Sequence, residues 1–171
     1  MVKTGNKADA ADDGDAVSPT ALLQHLLKLQ NCLIAPFSVH LEKRYRVTVN
    51  EFRVIMLVGE LGETASHELV DITAVSPMSI SRAVSALHRQ GRLEIDIDPA
   101  NRRRKMLRLS AAGEALYREM QPTTAKVAVY LFEALGPAGT RAFDRAVRTL
   151  IGHLEEVDDQ GRSLFLERTR P

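Results

Sequence analysis

The sequence holds a single cysteine, Cys32, so an internal disulfide is impossible and a reducing, cytoplasmic setting is expected. It also lacks an excess of charge of either sign. Lys and Arg number 23 against 22 Asp and Glu, a net charge of +1, which excludes a chain basic throughout but leaves room for a local basic patch. No apolar run is long enough to span a bilayer, so no membrane partner is expected. Residues 1–17, polar and rich in Ala, Asp and Gly, lack the apolar stretch of a secretory signal and read as a disordered tail. Repeats and low-complexity linkers are missing as well. The five histidines, His25, His40, His67, His88 and His153, are scattered without metal-ligand spacing, and there is no glycine-rich phosphate loop or nucleophile motif. Catalysis, a metal site and a cofactor are therefore not expected.

What is present is an ordinary globular composition, 44% hydrophobic and 26% charged over 171 residues, enough for one domain or two small units sharing a core. Leu22, Leu26, Leu29, Leu33, Phe37, His40 and Arg44 step by four and three, the seam spacing of a helix packed on another helix. Ser18 and Pro19 suit the start of that helix, and Pro36 predicts a kink. Shorter helices are predicted over 49–61, opened by Thr48 or Asn50, and over 66–73. A fourth covers 77–90 and closes at Gly91. There the apolar period changes from about 3.6 residues to about 2. Leu93, Ile95 and Ile97 alternate with Arg92, Glu94 and Asp96, and Leu107 and Leu109 with Met106 and Arg108, about a turn at 98–104. Two long helices follow, over 111–135 behind the capping residue Ser110, and over 137–158 with a stripe of Phe143, Val147, Leu150 and Leu154.

The expected fold class is mainly α with a small β-hairpin wing (α+β). It is a winged helix-turn-helix over 48–110, flanked by dimerisation helices over 18–47 and 111–158, with a tail over 159–171. The outer helices carry more apolar seam than so small a middle can cover, which points to a homodimer.

The helix over 77–90 has an unusual composition. Ile80, Val84 and Leu87 form one stripe, while Met78, Ser81, Arg82, Ser85 and Arg89 lie opposite, and Ser76 and Ser79 crowd the first turn. Short hydroxyls with an Arg suit a helix entering a DNA major groove, where small side chains allow close approach and Arg can fork to guanine. Taken singly, each serine reads first as a cap or a solvated residue, Ser76 above all. The neighbouring run Arg102, Arg103, Arg104, Lys105 and Arg108, with no acid among them, favours phosphate contact.

The stretches "HELVDITAVSPMSISRAVSALHRQGRLE" and "NRRRKMLRLSAAGEAL" resemble the two DNA-reading helices and the wing of the MarR family of dimeric winged-helix transcription regulators. The likeness spans 22–154. Two departures stand out: Asn101 occupies the position of the family's wing acid, for which Asp98 could substitute, and Ser110 replaces a Thr. The resemblance implies a homodimer on a pseudo-palindromic operator in double-stranded DNA, with half-sites about one helical turn apart. Ser76, Pro77, Met78, Ser79, Ser81, Arg82 and Ser85 would meet the major groove. Arg103 would enter the minor groove, with Arg102 and Arg104 near phosphates.

The resemblance further implies a repressor released by a small effector, often an aromatic acid. Phe37, His40 and Arg44 share one stripe, which changes from apolar to cationic, and Arg53 beside Phe52 could join them as a pocket for an aromatic carboxylate or thioester. The bland reading is a packed histidine and a solvated or Glu-paired arginine. Two alternatives remain open: a redox sensor acting through Cys32, which reads from its apolar neighbours as a buried, inert thiol, and a winged helix used for protein contacts.

Overall fold

The computed structural model describes residues 17–97 and 105–170. The expected tail up to residue 16 and the turn at 98–104, with Asp98, Asn101, Arg102, Arg103 and Arg104, lie outside the described residues. In chain order the elements are helix α1 (Pro19–Tyr45), α2 (Val49–Leu61), strand β1 (Thr64–Ala65), α3 (Ser66–Thr73), α4 (Pro77–Arg89), β2 (Leu93–Ile97), β3 (Lys105–Leu109), α5 (Ala111–Glu133), α6 (Gly136–Glu155) and α7 (Leu164–Arg168). The chain divides into two compact units between residues 114 and 115.

The first unit is a winged helix-turn-helix. Thr48 opens α2 through a capping box: its hydroxyl accepts from Glu51 N at 3.2 Å, and its own N–H donates to Glu51 Oε2 at 2.7 Å. The hydrophobic face of each helix then turns inward. Val54, Ile55 and Val58 of α2, Leu69 of α3, and Ile80, Ala83, Val84 and Leu87 of α4 are buried together with Leu93, Leu107 and Leu109 of the strands. Each buried Val, Leu or Ile side chain among them contributes roughly 1.5–3 kcal/mol. The end of α1 joins this core through Leu41 and Tyr45.

The sheet departs from the expected two-stranded hairpin. It has three antiparallel strands in the order β1-β3-β2, with Thr64 opposite Leu107 and Leu93 opposite Leu109. Two residues are too few to show alternation, so β1 was invisible to periodicity. Glu68 fastens it, accepting from Thr64 Oγ1 at 2.7 Å and Ala65 N at 3.0 Å.

The junction that follows α4 is closely built. Gly91 takes φ +67°, the left-handed conformation that ends α4. Arg92 then reaches the C-terminus of α1, donating to Tyr45 O at 3.3 Å and Arg46 O at 3.4 Å. Its own carbonyl accepts from Ser110 N at 3.2 Å. Ser110 caps α5 as expected, accepting from Gly113 N at 3.2 Å, and donates to Gly91 O at 2.6 Å.

Much of α1 is uncovered in the single chain. Leu22, Leu23, Leu26, Leu27 and Leu29 are exposed. Cys32 is exposed too, which corrects the expectation of a buried thiol. That expectation took Leu29 and Leu33 to be packed on their own chain, whereas Leu29 is exposed and Leu33 only half-buried.

In the second unit Phe132 of α5 lies against Phe143 of α6, ring centroids 6.2 Å apart, and Thr140 Oγ1 donates to Phe132 O at 3.3 Å. Leu150, Ile151 and Leu154 of α6 are exposed. The segment read as a C-terminal tail carries structure: a bridge between Val157 and Ser163, and helix α7 capped by Ser163. No helix among the described residues is long and apolar enough to cross a membrane.

Candidate nucleic-acid interface

Helix α4 is positioned by its buried stripe, and that stripe decides what its other face shows. With Ile80, Ala83, Val84 and Leu87 in the core, Met78, Ser81, Arg82, Ser85 and Arg89 point outward, Met78 at 65% exposure. Pro77 sits in the first turn. Ser76 is the N-cap, its Oγ accepting from Ser79 N at 3.3 Å and donating to Ser79 Oγ at 3.0 Å. These two hydroxyls are engaged with each other, whereas Ser81 and Ser85 stand on the exposed surface.

Two troughs flank the helix. One, of about 700 Å³, runs toward the start of α2 and is lined by Thr48, Asn50, Glu51, Arg82 and Arg89 among others. The second, of about 350 Å³, lies toward α3 and the strands and includes Ser66, His67, Asp71 and Lys105. Ser81 and Ser85 line both, so they form the ridge between them. His67 and Asn50 were not anticipated as site residues. Nothing in local sequence marks them, because only the packing of α2 and α3 beside α4 brings them to this face.

The basic character of the hairpin is less than the linear run suggests. Arg108 is ion-paired with Asp96 across the strands, and Asp96 holds its guanidinium above the ordinary arginine range, first by a hydrogen bond and then by charge. Strand pairing supplies that acid, which the run of sequence around Arg108 lacks. Lys105 keeps an exposed side chain.

The four residues expected to form an effector pocket make the following contacts. Phe37 meets Phe52 edge-on, ring centroids 5.0 Å apart. His40 and Arg44 gather about Tyr45, the imidazole centroid at 5.8 Å and the guanidinium carbon at 5.3 Å from the ring. Arg53 donates from Nη1 to Asn50 Oδ1 at 2.9 Å. Among the described residues no group of His, Cys, Asp and Glu could hold a metal ion.

A helix-turn-helix, a hairpin beside its second helix and long flanking helices define a winged helix-turn-helix protein. No family model matches the chain, and no curated protein matches it in sequence. Solved structures do. BpsR of Bordetella bronchiseptica, described with the regulation of its DNA binding by 6-hydroxynicotinic acid, is 25% identical with a TM-score of 0.66, over 75% of this chain and 98% of that one. A MarR/EmrR family transcriptional regulator of Acinetobacter sp. ADP1 gives 0.74 at 17% identity, over 81% and 97%. FabT of Streptococcus pneumoniae, solved in complex with DNA, gives 0.66 at 16% identity, over 81% and 98%. The chain thus shares the winged-helix fold of MarR-family transcription regulators.

Proposed function

We propose that the protein is a homodimeric, ligand-responsive transcriptional regulator that binds double-stranded DNA through α4 and is released from its operator, as a repressor, by a small aromatic acid. The observation that carries this reading is the division of α4 into a buried apolar stripe and an exposed face of Ser81, Arg82, Ser85 and Met78, with the hairpin alongside. Such a face fits direct readout of base edges. In sequence, the run Arg102, Arg103 and Arg104 between β2 and β3 brings charge suited to phosphates and the minor groove. The DNA complex of FabT and the effector of BpsR, an aromatic acid, support the two halves of the reading.

For the effector, His40 and Arg44 about Tyr45 offer two cationic or hydrogen-bonding groups beside an aromatic face, with Phe37 and Phe52 as a further apolar wall. Arg53 joins them by releasing Asn50. An aromatic carboxylate suits this mix of ring faces and donors.

The test begins with selection of a preferred duplex from a random library. Binding to it should weaken with salt with a log–log slope of about −0.9 per phosphate neutralised. Addition of 6-hydroxynicotinic acid or a benzoate should release the duplex from the wild type. Arg44→Ala should retain the duplex and lose the release. A flat salt response would favour a protein-contact role for the wing and defeat the proposal. A second reading is favoured by the exposure of Cys32: peroxide that abolishes DNA binding in the wild type but not in Cys32→Ser would make the protein a redox sensor.

A further inference from the structure

The trough between α3, α4 and the strands has a composition of its own. Its walls carry the hydroxyls of Ser66, Ser81 and Ser85, the imidazole of His67, the ammonium of Lys105 and the carboxylate of Asp71. Its floor is apolar, with Val84 and Ile95. His67, Asp71 and Lys105 are all exposed. Of the charged groups facing His67 among the described residues, Asp71 lies on its own helix and Lys105 on β3, while α4 contributes hydroxyls and β2 an isoleucine.

We propose that this trough is a seat for one phosphate of the DNA backbone, with Lys105 and His67 as its donors and Asp71 as an acid that holds its affinity down. This rests on the reading of α4 as the helix that enters the major groove. That groove is about 12 Å wide, so a helix lying in it has a backbone strand on each side. The ridge of Ser81 and Ser85 sets the helix in the groove, and the troughs to either side are where those strands run. Lys105 meets a phosphate as a point charge, which tolerates any base sequence. Asp71 follows His67 by four residues, one turn along the same face of α3, so the acid and the imidazole share one wall. The charges of the lysine and the acid offset each other. Removal of the Asp71 charge makes the seat net cationic. The seat therefore contributes position and a modest, adjustable affinity, without sequence preference.

The experiment uses a fluorescein-labelled duplex of arbitrary sequence, about three helical turns long, titrated with full-length protein at several salt concentrations. Lys105→Ala should reduce the steepness of the salt dependence by about 0.9 per subunit, and Lys105→Arg should restore it. Asp71→Asn should tighten binding about threefold, the scale of one exposed charge–charge interaction. His67→Ala should weaken binding by the loss of one phosphate donor and leave the sequence preference unchanged. All three side chains are exposed, so thermal unfolding should match the wild type and separate loss of contact from loss of fold. Unchanged slopes in Lys105→Ala together with unchanged affinity in Asp71→Asn, in a wild type that binds steeply, overturn the seat alone. A wild type that fails to bind the duplex overturns the DNA reading and the seat with it.

Discussion

Gly113 shows how strictly a single position can be specified. A Cβ there would overlap the carbonyl oxygen of Arg92, and Leu109 Cβ is 3.3 Å from the same point. The obstacle is backbone, already engaged with Ser110 N, so it cannot rotate away as a flexible side chain would. Gly113→Ala should destabilise the fold by about 1–3 kcal/mol or more, read as a lower midpoint in denaturant with an unchanged m-value. The glycine of "SAAGEAL", met in the sequence as part of a family pattern, thus has a steric cause. The serines of α4 divide in a comparable way. Ser76→Ala removes a cap and should cost about 1 kcal/mol. Ser81→Ala should leave stability within about 0.5 kcal/mol and alter the duplex preferred in selection. Equal effects of the two substitutions on both measurements would contradict that division.

Among elements, the turn between α6 and α7 is held by one carboxylate. Asp158 accepts from Gln160 N at 2.9 Å and Arg162 N at 2.8 Å, and from Arg162 Nε at 2.8 Å. These bonds, those of Arg162 foremost, hold its carboxyl below the ordinary aspartate range. A carboxyl depressed in the folded state lends stability that is present above its unfolded value and is lost as the pH falls through the folded one. The turn should therefore loosen in acid, below about pH 4, and Asp158→Asn should loosen it already at neutral pH. Amide exchange at Gln160 and Arg162 reports the change, and equal protection in Asp158→Asn would show that the Val157–Ser163 bridge suffices. The hydrophobic stripe of α6 gave no warning of this turn, because its order comes from one Asp bonding to residues two and four ahead. Element boundaries elsewhere followed from legible chemistry: the Thr48 capping box, Ser76, Gly91 and Ser110.

At the scale of the molecule, the exposed leucines of α1 and the exposed Leu150, Ile151 and Leu154 of α6 exceed what a monomer's surface ordinarily carries. A second copy of the chain is the expected cover. Sedimentation should therefore find a dimer at micromolar concentration, and Leu22→Glu combined with Leu26→Glu should shift it toward monomer with the winged helix still folded. A monomeric wild type would remove the homodimer from the proposal. The second unit adds its own hydrophobic contact, Phe132 on Phe143, to hold α5 and α6 as a pair.

The order of helices, the division of α4 into two faces and the caps that bound it were determined by the sequence alone, because periodicity and capping are local properties of the chain. Tertiary structure alone decided the rest. It set Ser81 and Ser85 on a ridge between two troughs, and brought His67 and Asn50 to that face from other helices. It paired Arg108 with Asp96 across the strands and gathered His40 and Arg44 about Tyr45. It also left Cys32 and its leucine neighbours exposed on α1. Each of these depends on which elements lie side by side, and a residue's own neighbours in sequence carry no record of that.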